Sequence, residues 1–299
     1  MQLLVYILVY PILWFLSILP FKVLYALSDF ISFILYTIVG YRKKVVLENL
    51  KMAYPEKSLN ELLKIRREFY RHFVDIFMEM IKSITISENQ MKKRFVFKNI
   101  DFIKSYENQK RSIILMGSHY ANWEWMVYMG SLIQHTGTAV FTPIGNKYFE
   151  KMMLKSRTKY GAVFVKPKYA RKFYEENEKK GLLTINALVS DQSPQLQKAK
   201  YWTNFLNVFV PVHTGAEELA KKLNQVVVFF EVKKVKRGYY TAEFKLLAEN
   251  PRKLPEYAIT TQFLKEVERQ VNTAPEYYFW THKRFKHKDK YEEWKELKS

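Results

Sequence analysis

Polar positions are almost absent from the start of the chain. Leu3–Leu19 is apolar apart from Tyr6, Tyr10, Ser17 and the mid-segment Pro11, and a second apolar run, Val23–Val39, is broken by Asp29. One helix across a bilayer needs about 20 apolar residues. The two runs therefore predict either one tilted span with an interfacial helix or two helices lying shallowly in a membrane. Residues 42–94 then read as helical. Ser58-Leu59-Asn60-Glu61 is a capping-box pattern, and Phe69, Phe73, Ile76, Phe77 and Met80 recur on one face of the helix it opens. Tyr54-Pro55 separates that helix from the one before it.

From residue 95 the period changes. Short apolar runs at Arg111–Met116, Thr138–Phe141, Ala162–Val165 and Leu182–Val189 predict strands, and helical patterns at Trp123–Gln134, Lys147–Lys159 and Arg171–Lys180 separate them. Thr214-Gly215-Ala216-Glu217 reads as a second capping box, opening a helix to Leu223. Val226–Lys234 and Tyr239–Leu247 read as a hairpin turning at Arg237-Gly238, and Pro255–Thr273 as a helix with proline at its start. This alternation predicts an α/β fold: a mixed, mostly parallel sheet flanked by helices, preceded by an apolar membrane-anchoring helical segment. The expected division is an anchor, residues 1–40, and one body, residues 41–299, with no linker inside it.

Composition narrows the chemistry. The chain has 299 residues, no Cys and a net charge of +20. A thiol nucleophile, a thiolate zinc site, an iron–sulfur cluster and a disulfide scaffold are excluded. The apolar start holds only Lys22 and Asp29, which cancel, so the whole positive excess lies in the body and begins at Arg42-Lys43-Lys44. That flank predicts a cytoplasmic body. Ala26-Leu27-Ser28 has the small-x-small form of a signal cleavage site. With no basic stretch before the apolar run, and apolar character continuing to Val39, an uncleaved anchor is the better reading. The six His show no metal-site spacing, and there is no glycine-rich phosphate loop, so neither a metal nor a nucleotide cofactor is expected. His72, Asp75 and Glu79 share a helix face and predict a polar seam. Trp280 to Lys286 mixes aromatic and basic residues, which beside an anchor reads as a membrane-interface contact rather than a nucleic-acid site.

The most informative stretch is Met116-Gly117-Ser118-His119-Tyr120-Ala121-Asn122-Trp123-Glu124, between a buried strand and a helix. Sites in α/β sheets form where strands end. On one continuous helix His119 and Glu124 would diverge by about 140°. They meet only if His119 lies in the loop and Glu124 in the first helical turn. A carboxylate on one ring nitrogen would then fix the tautomer and raise the basicity of the other, making His119 a general base for a hydroxyl or amine. Ser118 lacks the Gly-x-Ser-x-Gly elbow of a serine hydrolase.

Gly-Ser-His-Tyr-Ala-Asn-Trp-Glu closely resembles the Gly-x-His-x-x-Asn-Trp-Glu signature of the late acyltransferases of lipid A biosynthesis, in the lysophospholipid acyltransferase superfamily. The resemblance extends over nearly the whole chain. Tyr41-Arg42-Lys43-Lys44-Val45-Val46-Leu47-Glu48-Asn49-Leu50 is similar to the family's post-anchor segment, and Thr142-Pro143 with Arg157 in Arg-x-x-x-Gly to its second block. Asp191-Gln192 resembles the third block and Pro275 to Lys286 the C-terminal one. The resemblance implies transfer of an acyl chain from an acyl-carrier-protein or coenzyme A thioester, as co-substrate, to a lipid hydroxyl or amine at the cytoplasmic face of the bacterial inner membrane. It casts His119 as base, Glu124 as its orienting partner and Arg157 as the group meeting an oxyanion or an acceptor phosphate. Asp191 and Gln192 would line the acceptor pocket, and Asn122 and Trp123 would shape the site.

Overall fold

The computed structural model describes residues 1–298. Its helices are α1 (Gln2–Ile18), α2 (Phe21–Phe33), α3 (Lys43–Ala53), α4 (Leu59–Lys82), α5 (Glu88–Arg94), α6 (Ile100–Asn108), α7 (Lys147–Arg157), α8 (Pro167–Lys179), α9 (Gly215–Leu223), α10 (Ala258–Thr273) and α11 (Tyr291–Glu296). Its strands are β1 (Phe95–Phe97), β2 (Ile113–Gly117), β3 (Thr136–Val140), β4 (Val163–Val165), β5 (Thr184–Val189), β6 (Tyr201–Phe205), β7 (Val208–Val212), β8 (Val226–Lys236) and β9 (Tyr239–Ala248).

Seven strands form one sheet in the order β1-β9-β8-β2-β5-β3-β4. Only the β8–β9 hairpin is antiparallel within it, so the expected mixed, mostly parallel sheet is present. Central β2 (Ile-Ile-Leu-Met-Gly) is buried along its length, as an apolar run without alternation requires. The β6–β7 hairpin stands apart and was not read from the pattern. Its two-residue turn, Leu206-Asn207, takes φ of 48° and 63° without the glycine that usually marks such a turn.

The capping box at Ser58 is present, with Glu61 returning a bond to the Ser58 backbone. The one expected at Thr214 is not. The Thr214 hydroxyl donates to Glu218, one turn on, while Glu217 accepts from the Thr260 backbone and hydroxyl and ties α9 to α10. The α10 helix begins at Ala258, so Pro255 lies before it rather than in its first turn.

The apolar N-terminus folds back on the body. A π-helical turn, Ile34–Val39, extends α2 to a helical stretch of 19 residues, Phe21–Val39, long and apolar enough to cross a membrane. One face of α2 is nevertheless polar and bonded inward. Tyr25 donates to Glu79, Ser28 donates to Asp75 (2.7 Å), and Asp29 pairs with Arg237 (2.8 Å). Lys82 donates to the carbonyls of Ser17 and Leu19, satisfying the end of α1. The outer faces keep an apolar stripe, with Leu4, Leu8, Ile12 and Phe15 on α1 and Phe30 and Phe33 on α2 all exposed.

Candidate active site

The site forms beyond the ends of two neighbouring parallel strands. Gly117 of β2 is in register with Val189 of β5. Two residues further along each strand's exit stand His119 and Asp191, and His119 Nδ1 lies 2.8 Å from Asp191 Oδ1. The carboxylate bonded to the imidazole is thus that of Asp191, not the expected Glu124. Chain direction explains the difference. Asn122 caps a 3-10 helix, Trp123–Ser131, by accepting from the Trp125 amide, and this tighter helix turns Glu124 toward α7. There Glu124 receives a two-pronged pair from Arg157, Nε at 2.9 Å and Nη2 at 2.6 Å.

The loop between strand and helix is held from outside. The Phe279 amide donates to the His119 carbonyl and the Ala121 amide to that of Tyr277. Ala121 is held at φ 49°, a left-handed conformation that a non-glycine residue keeps only when its surroundings impose it. The Trp123 and Phe279 rings flank the imidazole, at 5.2 and 5.9 Å between centroids. Ser118 points the other way and bonds Gln270. The C-terminal block is in turn clasped by the post-anchor segment. Asn49 donates to the carbonyls of Trp280 and His282, and Arg42 to that of Thr281. This corrects the reading of that block as a membrane contact: Trp280 is 0% exposed, and Phe285 and Arg284 are buried with it.

Electrostatics favour a basic imidazole. Burial works against charge on His119, but the charge and hydrogen bond of Asp191, with the charge of Glu124, outweigh it and raise the pKa above the ordinary 6.5. Burial also works against charge on Asp191, and its bonds and charge pairing with His119 overcome this, leaving its pKa below the usual carboxylate value. With Nδ1 committed to Asp191, Nε2 is the nitrogen free to accept a proton.

His119, Trp123, Glu124, Arg157 and Gln192 line one cavity of about 750 Å³. Asn122 and Asp191, expected among the residues lining the substrate pocket, do not face it. Asn122 is 0% and Asp191 1% exposed, and both are turned to protein partners. The cavity is also lined by His213 from the segment before α9 and by the cations Arg171 of α8 and Lys222 of α9. No motif marked them, because they converge from separate elements. A second cavity of about 250 Å³ shares Glu124, Val127 and Arg157 with the first. Leu13, Met80, Ile84, Met91 and Met153 make the rest of it largely apolar. No group of His, Asp and Glu suited to a metal occurs among the described residues.

A family model described as bacterial lipid A biosynthesis acyltransferase matches residues 1–287. The lipid A biosynthesis lauroyltransferase of Escherichia coli (strain K12) is 24% identical over 287 residues, covering 92% of this chain and 89% of its own length. The lipid A biosynthesis palmitoleoyltransferase of the same strain is 22% identical over 283 residues, with coverage of 92% and 89%. A lipid A biosynthesis acyltransferase of Haemophilus influenzae is 23% identical over 259 residues, covering 83% of this chain and 79% of its own.

Proposed function

Because the chain belongs to the bacterial lipid A biosynthesis acyltransferase family, we propose that it moves a fatty acyl chain from an acyl-carrier-protein thioester to a hydroxyl of a lipid A precursor, with His119 as general base. One observation carries this reading: an imidazole oriented by a buried carboxylate stands on the wall of a large cavity that shares Glu124, Val127 and Arg157 with an apolar one.

The steps follow from the groups present. Nε2 of His119 takes the acceptor hydroxyl proton as the oxygen attacks the thioester carbonyl carbon. The carbonyl becomes a tetrahedral oxyanion. Arg157, held by Glu124 on the wall that both cavities share, meets that charge with its remaining N–H groups. Collapse breaks the C–S bond, and the thiolate leaves with the proton carried on His119. No covalent acyl-enzyme is required. Glu124 thus serves by orienting Arg157 and by adding negative potential near His119, while Asp191 sets the tautomer. The apolar cavity suits the acyl chain, and His213, Arg171 and Lys222 suit acceptor phosphates. Gln192 borders the acceptor side.

The exposed stripes of α1 and α2 form an apolar surface of the kind that seeks a bilayer. With the polar face of α2 bonded to the body, we read this hairpin as seated in the interface of the inner membrane, with the body on the cytoplasmic face. The positive excess then serves two acidic partners, anionic headgroups and the acyl carrier protein.

The test is transfer by the purified full chain, in lipid nanodiscs, from acyl-carrier-protein and coenzyme A donors to a lipid A precursor, with products weighed by mass spectrometry. The expected product is the acceptor plus one acyl chain. Salt should raise KM for the carrier-linked donor more than it lowers kcat. Failure to acylate the glycolipid from either donor would sink the reading. Met153→Trp, which narrows the apolar cavity, is expected to shift preference toward shorter donors in a chain-length series; an unchanged preference would place the acyl chain elsewhere.

A further inference from the structure

Outside the cavity, one carboxylate that the proposed reaction does not use links three parts of the molecule. Glu79 of α4 is 0% exposed. Its Oε1 accepts from the hydroxyl of Tyr25 on α2 at 2.7 Å. Its Oε2 accepts from Nδ2 of Asn122 at 2.6 Å and from the hydroxyl of Tyr240 on β9 at 2.9 Å. Three donors from three elements thus converge on one buried group. Asn122 has a second commitment, since its Oδ1 accepts from the Trp125 amide and starts the 3-10 helix carrying Trp123 and Glu124. The two uses fix the amide's orientation. Turned over, Asn122 would aim its NH2 at the Trp125 amide and lose the cap.

From this geometry we infer that Glu79 is a positioning residue: through Asn122 it sets the 3-10 helix that presents Glu124 to Arg157 of α7, and through Tyr25 it joins that setting to the docked α2 helix. This rests on the acyl-transfer reading for its kinetic consequence, but not for its structural one. Neighbouring groups show why a single acceptor matters. Asp75, one turn earlier on α4, is already engaged by Ser28 and Arg237, and Lys234 is turned to His72 and Asp75. Among the described residues, no other acceptor is bonded to Nδ2 of Asn122.

The test is a double-mutant cycle in the full chain, read by kcat, KM, melting temperature and amide exchange at Trp123–Met126. Glu79→Leu is expected to lower kcat about 10-fold or more with KM changed less than about 2-fold, since misplacing catalytic groups costs rate rather than ground-state binding. Glu79→Gln keeps an acceptor oxygen for Asn122, while the tyrosine hydroxyls can turn to accept, so it should retain most of kcat. Asn122→Ala should match Glu79→Leu, and the double variant should be no slower than either. Should Glu79→Leu fail to fold, Tyr25→Phe removes a single hydroxyl and is expected to speed exchange at the Trp125 amide with little change in melting temperature. Independent, multiplicative losses in kcat, or exchange at Trp125 unaltered in every variant, would overturn the inference. Full activity of His119→Ala alongside altered exchange in the cycle would instead sink the reaction assignment and leave the positioning link standing.

Discussion

His119→Ala is expected to lower kcat/KM by about 10²–10⁴-fold, the range that a positioned general base supplies. The acceptor hydroxyl is a poor nucleophile while it keeps its proton, and no other imidazole is placed to take over. Burial and the Arg284 charge hold His282 down at about 4, and its Nε2 accepts from the Ser193 amide. His213 lines the same cavity, but burial and Arg284 lower its pKa, which makes it a weaker base than His119. The protein should still fold and bind membranes, because His119 makes its backbone contact to Phe279 through its carbonyl, which alanine retains. Transfer assays with matched circular dichroism and liposome flotation check this. Near-wild-type transfer would remove His119 from the mechanism.

Asp191→Asn is the second large effect, expected to cost about 10²–10⁴-fold in kcat, as when a triad-like carboxylate becomes an amide and the wrong tautomer is favoured. The amide can present either its oxygen or its NH2 to Nδ1. If the NH2 faces the ring, Nδ1 becomes the acceptor and Nε2 carries the proton, so the base is lost. The residual activity should also show a displaced pH profile. His119 works only when neutral, so rate rises with pH through its pKa, which in the wild type lies above the ordinary 6.5. Removing the Asp191 charge takes away the main influence that raises it and leaves burial, which lowers it, opposed only by the weaker charge of Glu124, so the acid limb of kcat/KM should move to lower pH. A limb that stays in place would mean another group titrates there. Glu124→Gln serves as the contrast. It loosens Arg157 and removes a smaller contribution to the His119 shift, so kcat should fall while the limb moves less than in Asp191→Asn.

Much of this architecture was legible in one dimension because its causes are local. A run such as Ile-Ile-Leu-Met has no polar face to give to solvent, so it must be an inner strand, and β2 is one. Ser58 and Glu61 are one helical turn apart and satisfy each other without help. Thr214 and Glu217 have the same spacing but not the same outcome, because Thr260 on α10 offers Glu217 two donors that its own helix start does not. The C-terminal aromatic and basic cluster failed as a surface motif for a similar reason. Asn49 and Arg42, far away in sequence, draw its backbone inward and bury Trp280.

The sequence by itself determined that the chain is a mixed α/β protein, that its first helices are apolar, and that His119 lies in a loop at the end of an inner strand. Each of these is written in neighbours or in a repeating period. Only the tertiary structure decided which carboxylate His119 touches. Glu124 is five residues away along the chain yet is turned to Arg157, whereas Asp191 is 72 residues away yet adjoins His119. Parallel pairing aligns Gly117 with Val189, so residues equally far past the two strand ends emerge side by side. Strand register is a long-range property, set by how apolar faces pack across the sheet.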